Sequence, residues 1–254
     1  MSLRRPAGAG TVADRAAACY LTPSGGRALE TAWMLRLLTW IAVVAGGAAL
    51  ALGVYLGARV IEQQTAAPAA VAAIIADMDP RIDALPQRRL DIVVRVEDPT
   101  FWTNDGIDMS TPGAGQTTLS QGLGKRIFFR RFSPGPAKLG KLELMVLTRF
   151  ALTPKVSKRD IVRAALANAY LGRGPKGPVV GVAEGARRWF GKELDQLSEA
   201  EFIGLIAMLP APNNLDPLNH PDANAERVAR IERLLIDACT PLDVNDVALK
   251  GCEI

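Results

Sequence analysis

Histidine occurs once in the chain, at His220, and cysteine three times, at Cys19, Cys239 and Cys252. A multi-histidine zinc site and a disulfide-built mini-scaffold are both excluded by those counts. Charge of one sign is hardly in surplus either. The 30 Lys and Arg stand against 26 Asp and Glu, and a formal +4 is too mild to argue for nucleic acid. No Gly-rich loop ending in Gly-Lys-Ser/Thr is present, so nucleotide binding is not implied. With 49% apolar and 22% charged residues the composition is globular, which excludes wholesale disorder. The length suits one large domain, or a medium domain with appendages. A mean hydropathy of +0.13 is high for a soluble protein and says that apolar residues are concentrated somewhere.

They are concentrated in one run. Leu37 to Ala58 reads LLTWIAVVAGGAALALGVYLGA without a charge, and about 20 helical residues cross a hydrocarbon core of roughly 30 Å. Trp33, Trp40 and Tyr55 lie near its ends, where amphipathic rings favour the headgroup level. A buried core helix would alternate faces, and a cleaved signal peptide would be shorter and start earlier. The run reads as a transmembrane helix over residues 37–58. Before it, Arg4, Arg5, Arg15, Arg27 and Arg36 outnumber Asp14 and Glu30 by three. The positive-inside rule keeps that tail cytoplasmic and sends the rest across the membrane. Residues 1–36 read as a disordered tail, 59–90 as a linker or membrane-proximal segment, 91–238 as the exported domain, and 239–254 as a C-terminal tail. Cys239 and Cys252 would meet an oxidising compartment, and spacing leaves open whether they are bridged or free. Cys19 stays reduced.

The exported domain reads as mainly α. Leu119, Leu123 and Ile127 put an apolar stripe on a helix over Thr118–Phe129. Ser157 and Asp160 make a helix start ahead of Ile161–Leu171, which Gly172 and Gly174 end. Ser198 and Glu201 form a capping-box pattern before FIGLIAML, and Pro210 with Pro212 stops that helix. A last helix covers roughly Ala223–Ala238. The one alternating, strand-like stretch is Asp91–Val96.

Three segments carry chemistry. In VEDPTFWTNDGID, Glu97 and Asp98 follow an apolar run and precede Phe101 and Trp102. A carboxylate against apolar surface rises in pKa toward the range of proton transfer. The alternative is an acid pair balancing a helix N-terminus. In GQTTLSQGLGKRIFFRRF, Thr117, Thr118, Ser120, Gln121, Lys125 and Arg126 offer donors for an anionic cluster such as pyrophosphate. The following Phe128, Phe129 and Phe132, interleaved with Arg130 and Arg131, suit a lipid-facing surface or an ordinary core helix with a charged end. In KLGKLELMVLTRF, Glu143 follows Lys138 and Lys141 ahead of an apolar run.

Together these segments resemble glycosyltransferase family 51, the peptidoglycan polymerases found alone or as the N-terminal domain of penicillin-binding proteins. Glu97, Asp98, Phe101, Gly106, Ile107 and Asp108 match its first motif, with Asn104 in place of a histidine. Gly115, Thr118, Gln121, Leu123 and Lys125 match the second, with Thr117 and Ser120 as hydroxyl swaps and Gln116, Gly122, Gly124 and Arg126 as departures. The third motif keeps Glu143, but Leu139 and Gly140 replace an Arg-Lys pair. Asn168-Ala169-Tyr170-Leu171-Gly172-Arg173-Gly174 resembles the family's next motif, followed by extra residues at Pro175–Val180. Gly181 to Ala186, Trp189 to Lys192, Leu197 to Glu201 and Leu209 to Pro212 continue the likeness.

The resemblance implies a lysozyme-like helical domain with a deep cleft. It implies joining of lipid II units into β-1,4 glycan, with inversion and loss of polyprenyl pyrophosphate. Glu97 and Glu143 would be the catalytic pair, Glu97 as general base, facing each other across one groove. Asp98, Phe101, Thr117, Thr118, Gln121, Lys125, Arg126, Lys138, Lys141 and Asn168 would bind substrate, the cations stabilising the leaving group. No cofactor is expected, with Glu143 the one option for a divalent cation (Mg or Mn). Partners would be lipid II, the growing strand, the membrane and cell-wall synthesis proteins, with no nucleic acid. The expectation is a monofunctional enzyme, without a transpeptidase Ser-x-x-Lys domain after Ile254. A non-catalytic relative that binds lipid II or glycan as a scaffold, and a lytic enzyme using Glu97 as acid, are the rival readings.

Overall fold

The computed structural model describes the backbone of residues 25–253 and the side chains of residues 33–253. Residues 1–24, with Cys19 and three of the tail arginines, lie outside them. The chain divides into two units, residues 1–53 and 54–254. Helix α1, Gly25–Asp77, runs through both. Residues 25–36, expected as disordered tail, are therefore helical. From Trp33 onward α1 is long and apolar enough to cross a membrane, and most side chains between Trp33 and Gly53 are exposed, as befits a helix whose solvent is lipid.

The second unit begins inside α1, not at residue 91. Ala67 and Val71 are buried in the domain core, and Val60, Ile74 and Ile75 pack against it. Residues 59–77 thus continue the helix, the membrane-proximal alternative, and are not a linker. After the short α2 (Pro80–Asp83) comes α3, Gln87–Glu97. Asp91–Val96, expected as strand-like, lies within it. Gln87, Asp91 and Arg95 recur every four residues, a helical polar stripe, while Leu90, Ile92, Val93, Val94 and Val96 fill the other faces and are buried.

Helices α4 (Leu119–Ile127), α5 (Leu139–Leu147) and α6 (Lys158–Ala167) follow. The Ser157 and Thr118 hydroxyls cap α6 and α4 by accepting from Asp160 N and Gln121 N. Helix α6 ends at Ala167, not Leu171. Tyr170–Gly174 (β1) pairs antiparallel with Gly177–Val180 (β2), so the extra residues Pro175–Val180 make the second arm of a hairpin. Helices α7 (Val182–Phe190), α8 (Glu199–Ala207) and α9 (Pro221–Leu235) complete the domain. Helix α8 is apolar on every side and buried from Phe202 to Ala207, packed by α3, α7 and α9. Its Ser198–Glu201 capping box is present.

The C-terminal segment is no loose tail. Leu249 and Cys252 are buried in the core, and Cys239 is bonded to Cys252. Asp246 organises the loop by accepting from the backbone N–H of Leu242, Lys250 and Gly251. Gly113 N donates to Asp243 O and Gly115 N to Val244 O, tying this strap to the loop that enters α4. Closing a loop of this length restricts the unfolded chain by about 3 kcal/mol. Cys239→Ser with Cys252→Ser should lower the unfolding free energy by about 2–3 kcal/mol in urea melts, and equal midpoints would show that the strap holds without its bridge.

Candidate active site

Glu97 is the last residue of α3. A helix C-terminus carries the negative end of the dipole, so this position disfavours a second negative charge. That rules out the dipole-balancing role for Glu97, whereas Asp98 meets the N-terminus of α4 at Leu119 N. Burial raises the Glu97 carboxyl to about 7, against the pull of the Arg227 charge and aided by neighbouring Asp98. It lines a hollow of about 300 Å³ together with Thr117, Thr118, Gly122, Arg126, Asn168 and Tyr170. The elements that frame this hollow are the ends of α3 and α6, the face of α4 and the start of β1.

Behind Glu97 a polar cluster fixes the loop that leads to α4. Asp98 is fully buried; its Oδ2 accepts from Leu119 N (3.0 Å) and its Oδ1 from Asn104 Nδ2 (2.8 Å). Asn104 Oδ1 accepts from Gly106 N (2.9 Å) and Lys158 Nζ (3.2 Å). The asparagine that departs from the motif is thus a full structural link. Burial lifts Asp98 to about 6, although the Leu119 N–H and Lys158 work the other way. Phe101 is wholly buried, with the Lys158 ammonium 4.7 Å from its ring centre. Asp98 and Phe101 therefore brace the loop behind the hollow and are not among the residues that line it.

Two ammonium groups meet beside the hollow. Lys141 Nζ, from α5, donates to Gln116 O (2.6 Å) and Gln121 Oε1 (2.7 Å), and lies 3.5 Å from Thr117 Oγ1. Lys125 Nζ, from α4, is 3.4 Å from the same hydroxyl. Burial lowers the pKa of both, and for Lys141 the Lys125 charge lowers it further. Arg126 Nε donates to Asn168 Oδ1 at 3.0 Å, joining α4 to α6 across the hollow. Thr117, Gln121, Lys125, Lys141, Arg126 and Asn168 are accordingly gathered at or beside Glu97. Thr118 lines the hollow, yet its hydroxyl is spent on the α4 cap and on Gly106 O.

Glu143 stands elsewhere. Its Oε1 accepts from Arg59 Nε (3.0 Å) and Tyr55 Oη (3.1 Å), and it lines a separate, open hollow with Phe128, Phe129, Arg130 and Arg131. Glu97 and Glu143 thus line different hollows, and the donors that meet Glu143 come from Arg59 and Tyr55 of α1. Lys138 is exposed in a left-handed turn before α5 and joins neither hollow. Leu139 is exposed, and a Cβ on Gly140 would lie 2.2 Å from Ser133 O, so only glycine fits there. Phe128 is buried, which removes it from any lipid-facing surface, while Phe129 and Phe132 pack partly against the core. No group of three or more metal-ligating side chains occurs among the described residues. Glu143 belongs to no such group, and its Oε1 is paired with the Arg59 guanidinium.

Sequence reasoning missed Arg227, Lys158, Arg59 and Tyr55. Arg227 sits four and seven residues before Ile231 and Leu234, on the buried face of α9, and donates to Val247 O of the strap at 2.8 Å. A cation on an apolar face was the available signal. The other three act across long sequence distances and left none.

A mainly helical domain with a proton-holding carboxyl set over hydroxyl and ammonium donors belongs to the lysozyme-like class of glycan-handling folds. Residues 110–235 match the family model described as Transglycosylase, in keeping with the motif resemblance to glycosyltransferase family 51. The matched span begins after Glu97, whose place in the site rests on the geometry above. A Cupriavidus necator protein assigned as a transglycosylase is 28% identical over 167 residues, 61% of this chain and 69% of that one. Penicillin-binding protein 1F of Bacillus subtilis is 28% identical over 58% of this chain and 21% of its own length. Penicillin-binding protein 1A of Streptococcus oralis is 28% identical over 61% and 26%. The chain thus spans about a quarter or less of these two penicillin-binding proteins and some two thirds of the transglycosylase.

Proposed function

We propose that this chain is a membrane-anchored peptidoglycan glycosyltransferase that extends glycan from lipid II, its domain held outside the cytoplasmic membrane. One observation carries the reading: Glu97, raised to about 7, lines the hollow whose edge holds Lys125 and Lys141. A carboxyl of that pKa is divided between base and acid near neutrality, which suits proton transfer in either direction. Glu97 takes the proton from the acceptor sugar hydroxyl as its oxygen attacks the anomeric carbon of the donor. The donor C–O bond to pyrophosphate breaks on the opposite face, so the centre inverts. The electron pair leaves with the polyprenyl pyrophosphate, whose growing negative charge faces the Lys125 and Lys141 ammoniums. Anchoring at the membrane spares the enzyme from lifting a polyprenyl chain out of lipid, at about 0.8 kcal/mol per CH₂.

Two departures from the family motifs have structural roles that support this reading: Asn104 braces Asp98, and the close approach of Ser133 O admits only glycine at 140. A lipid II-binding scaffold draws its support from one feature, the separation of Glu143 from the Glu97 hollow. Full-length protein in vesicles with labelled lipid II separates the readings. Polymer with released pyrophosphate is the expected result. Lipid II retained without polymer favours the scaffold, and short fragments released from finished glycan favour a lytic enzyme.

A further inference from the structure

The Glu143 carboxylate has an asymmetric environment. Both donors that reach it, Arg59 Nε and Tyr55 Oη, converge on Oε1, and Oε2 has no hydrogen-bond partner among the described residues. Two donors on one oxygen fix the plane of a carboxylate and aim the other oxygen outward. The side chain is 14% exposed and lines the open hollow together with Arg130 and Arg131, while Oε2 keeps its acceptor capacity unspent. Arg59 is the first charged residue after the charge-free run Leu37–Ala58, and Tyr55 is one helical turn before it. Glu62 holds the other side of the same guanidinium, which limits the rotamers open to Arg59. Residues 139 and 140 on α5 supply no cation to this acid, so the pairing comes wholly from α1.

We infer that Arg59 and Tyr55 are positioning residues that hold Glu143 in its working orientation, making the domain end of α1 part of the glycosyl-transfer site and not only a tether. The inference rests on the glycosyltransferase reading of the site. The free Oε2 is an acceptor, so the group it meets is a donor, a hydroxyl or amide N–H of the carbohydrate.

The test is a double-mutant cycle on the full-length chain in vesicles, with labelled lipid II as substrate. Arg59→Gln should lower kcat about tenfold with little change in KM, and Tyr55→Phe roughly threefold, as expected for residues coupled through one partner. Arg59→Lys should recover part of the loss. In a Glu143→Gln background, Arg59→Gln should cost nothing further, because the group it positions is gone. Gln64→Ala removes a different tie of α1, the bond from Nε2 to Phe150 O, and should leave kcat at the wild-type value. Thermal melts identify any variant that fails to fold, and Tyr55→Phe, which removes one hydroxyl, keeps the cycle readable in that event. If the Arg59 and Glu143 effects multiply, or if Gln64→Ala costs as much as Arg59→Gln, the role is docking of α1 and the inference is wrong. A wild-type protein that makes no polymer overturns the glycosyltransferase reading and this inference together, whereas active wild type with unaffected Arg59→Gln overturns this one alone.

Discussion

Glu97→Gln is expected to abolish polymerisation and, at the same time, to make the folded protein more stable at pH 8. The first effect follows from losing the base, a term worth roughly 10²–10⁴-fold. The second follows from burial. The Glu97 carboxyl is raised from 4.5 to about 7 in the folded chain, so the folded state binds its proton more tightly than the unfolded state does. Below the unfolded value both states are protonated and the carboxyl costs nothing. As pH rises through that window the unfolded chain ionises first, so stability falls, and above about 7 the full deficit persists. That deficit is at most about 3 kcal/mol. Glutamine imitates the protonated acid and is free of it. Urea melts of wild type and Glu97→Gln should therefore coincide at pH 4 and separate at pH 8, with the inactive variant unfolding later. In wild type, kcat should climb with pH through about 7 as the base ionises. A variant less stable than wild type at pH 8 would mean that Glu97 is held by a partner rather than strained by burial.

Local signals in the sequence were reliable where one segment decides its own structure. The Ser198–Glu201 capping box, the Ser157 cap and the Thr118 start of α4 all rest on residues three apart, and each is present. The same holds for Lys125, Gln121 and Thr117, which one turn or two of α4 bring together. Misreadings arose where tertiary burial overrides a local pattern. Asp91–Val96 alternates like a strand only because α3 is buried on several faces, and Phe128 looks lipid-facing in sequence yet is buried in the folded domain. Long-range pairs were illegible for a different reason. Nothing near Glu143 in sequence announces that its counter-charge is Arg59, 84 residues away, or that the strap after Pro241 braces the loop before α4. These contacts depend on where whole helices pack, which neither periodicity nor spacing encodes.

Lys141→Met is expected to reduce turnover by roughly 10²–10³-fold, the range for removing one preorganised donor to a developing anion, without destabilising the protein. The two outcomes part company because of the electrostatics of the empty site. Lys141 and Lys125 approach one Thr117 hydroxyl from two helices, and neither ammonium has a carboxylate in salt-bridge contact among the described residues. Burial lowers the pKa of both, and the Lys125 charge lowers that of Lys141 further. Two unneutralised cations held together are unfavourable until an anion arrives, and the repulsion is relieved only when one does. Removing one of them should leave the melting temperature equal to or above that of wild type. Inorganic pyrophosphate should raise the wild-type melting temperature by mass action and do so far less for the variant. The stabilisation should also fade with added salt, since partly exposed charges are screened. Norleucine-like methionine keeps most of the stem packing, so a drop in turnover with an intact melt isolates the charge. If pyrophosphate stabilises wild type and Lys141→Met equally, the leaving group is held at another place, and the Arg130–Arg131 rim becomes the site to test next.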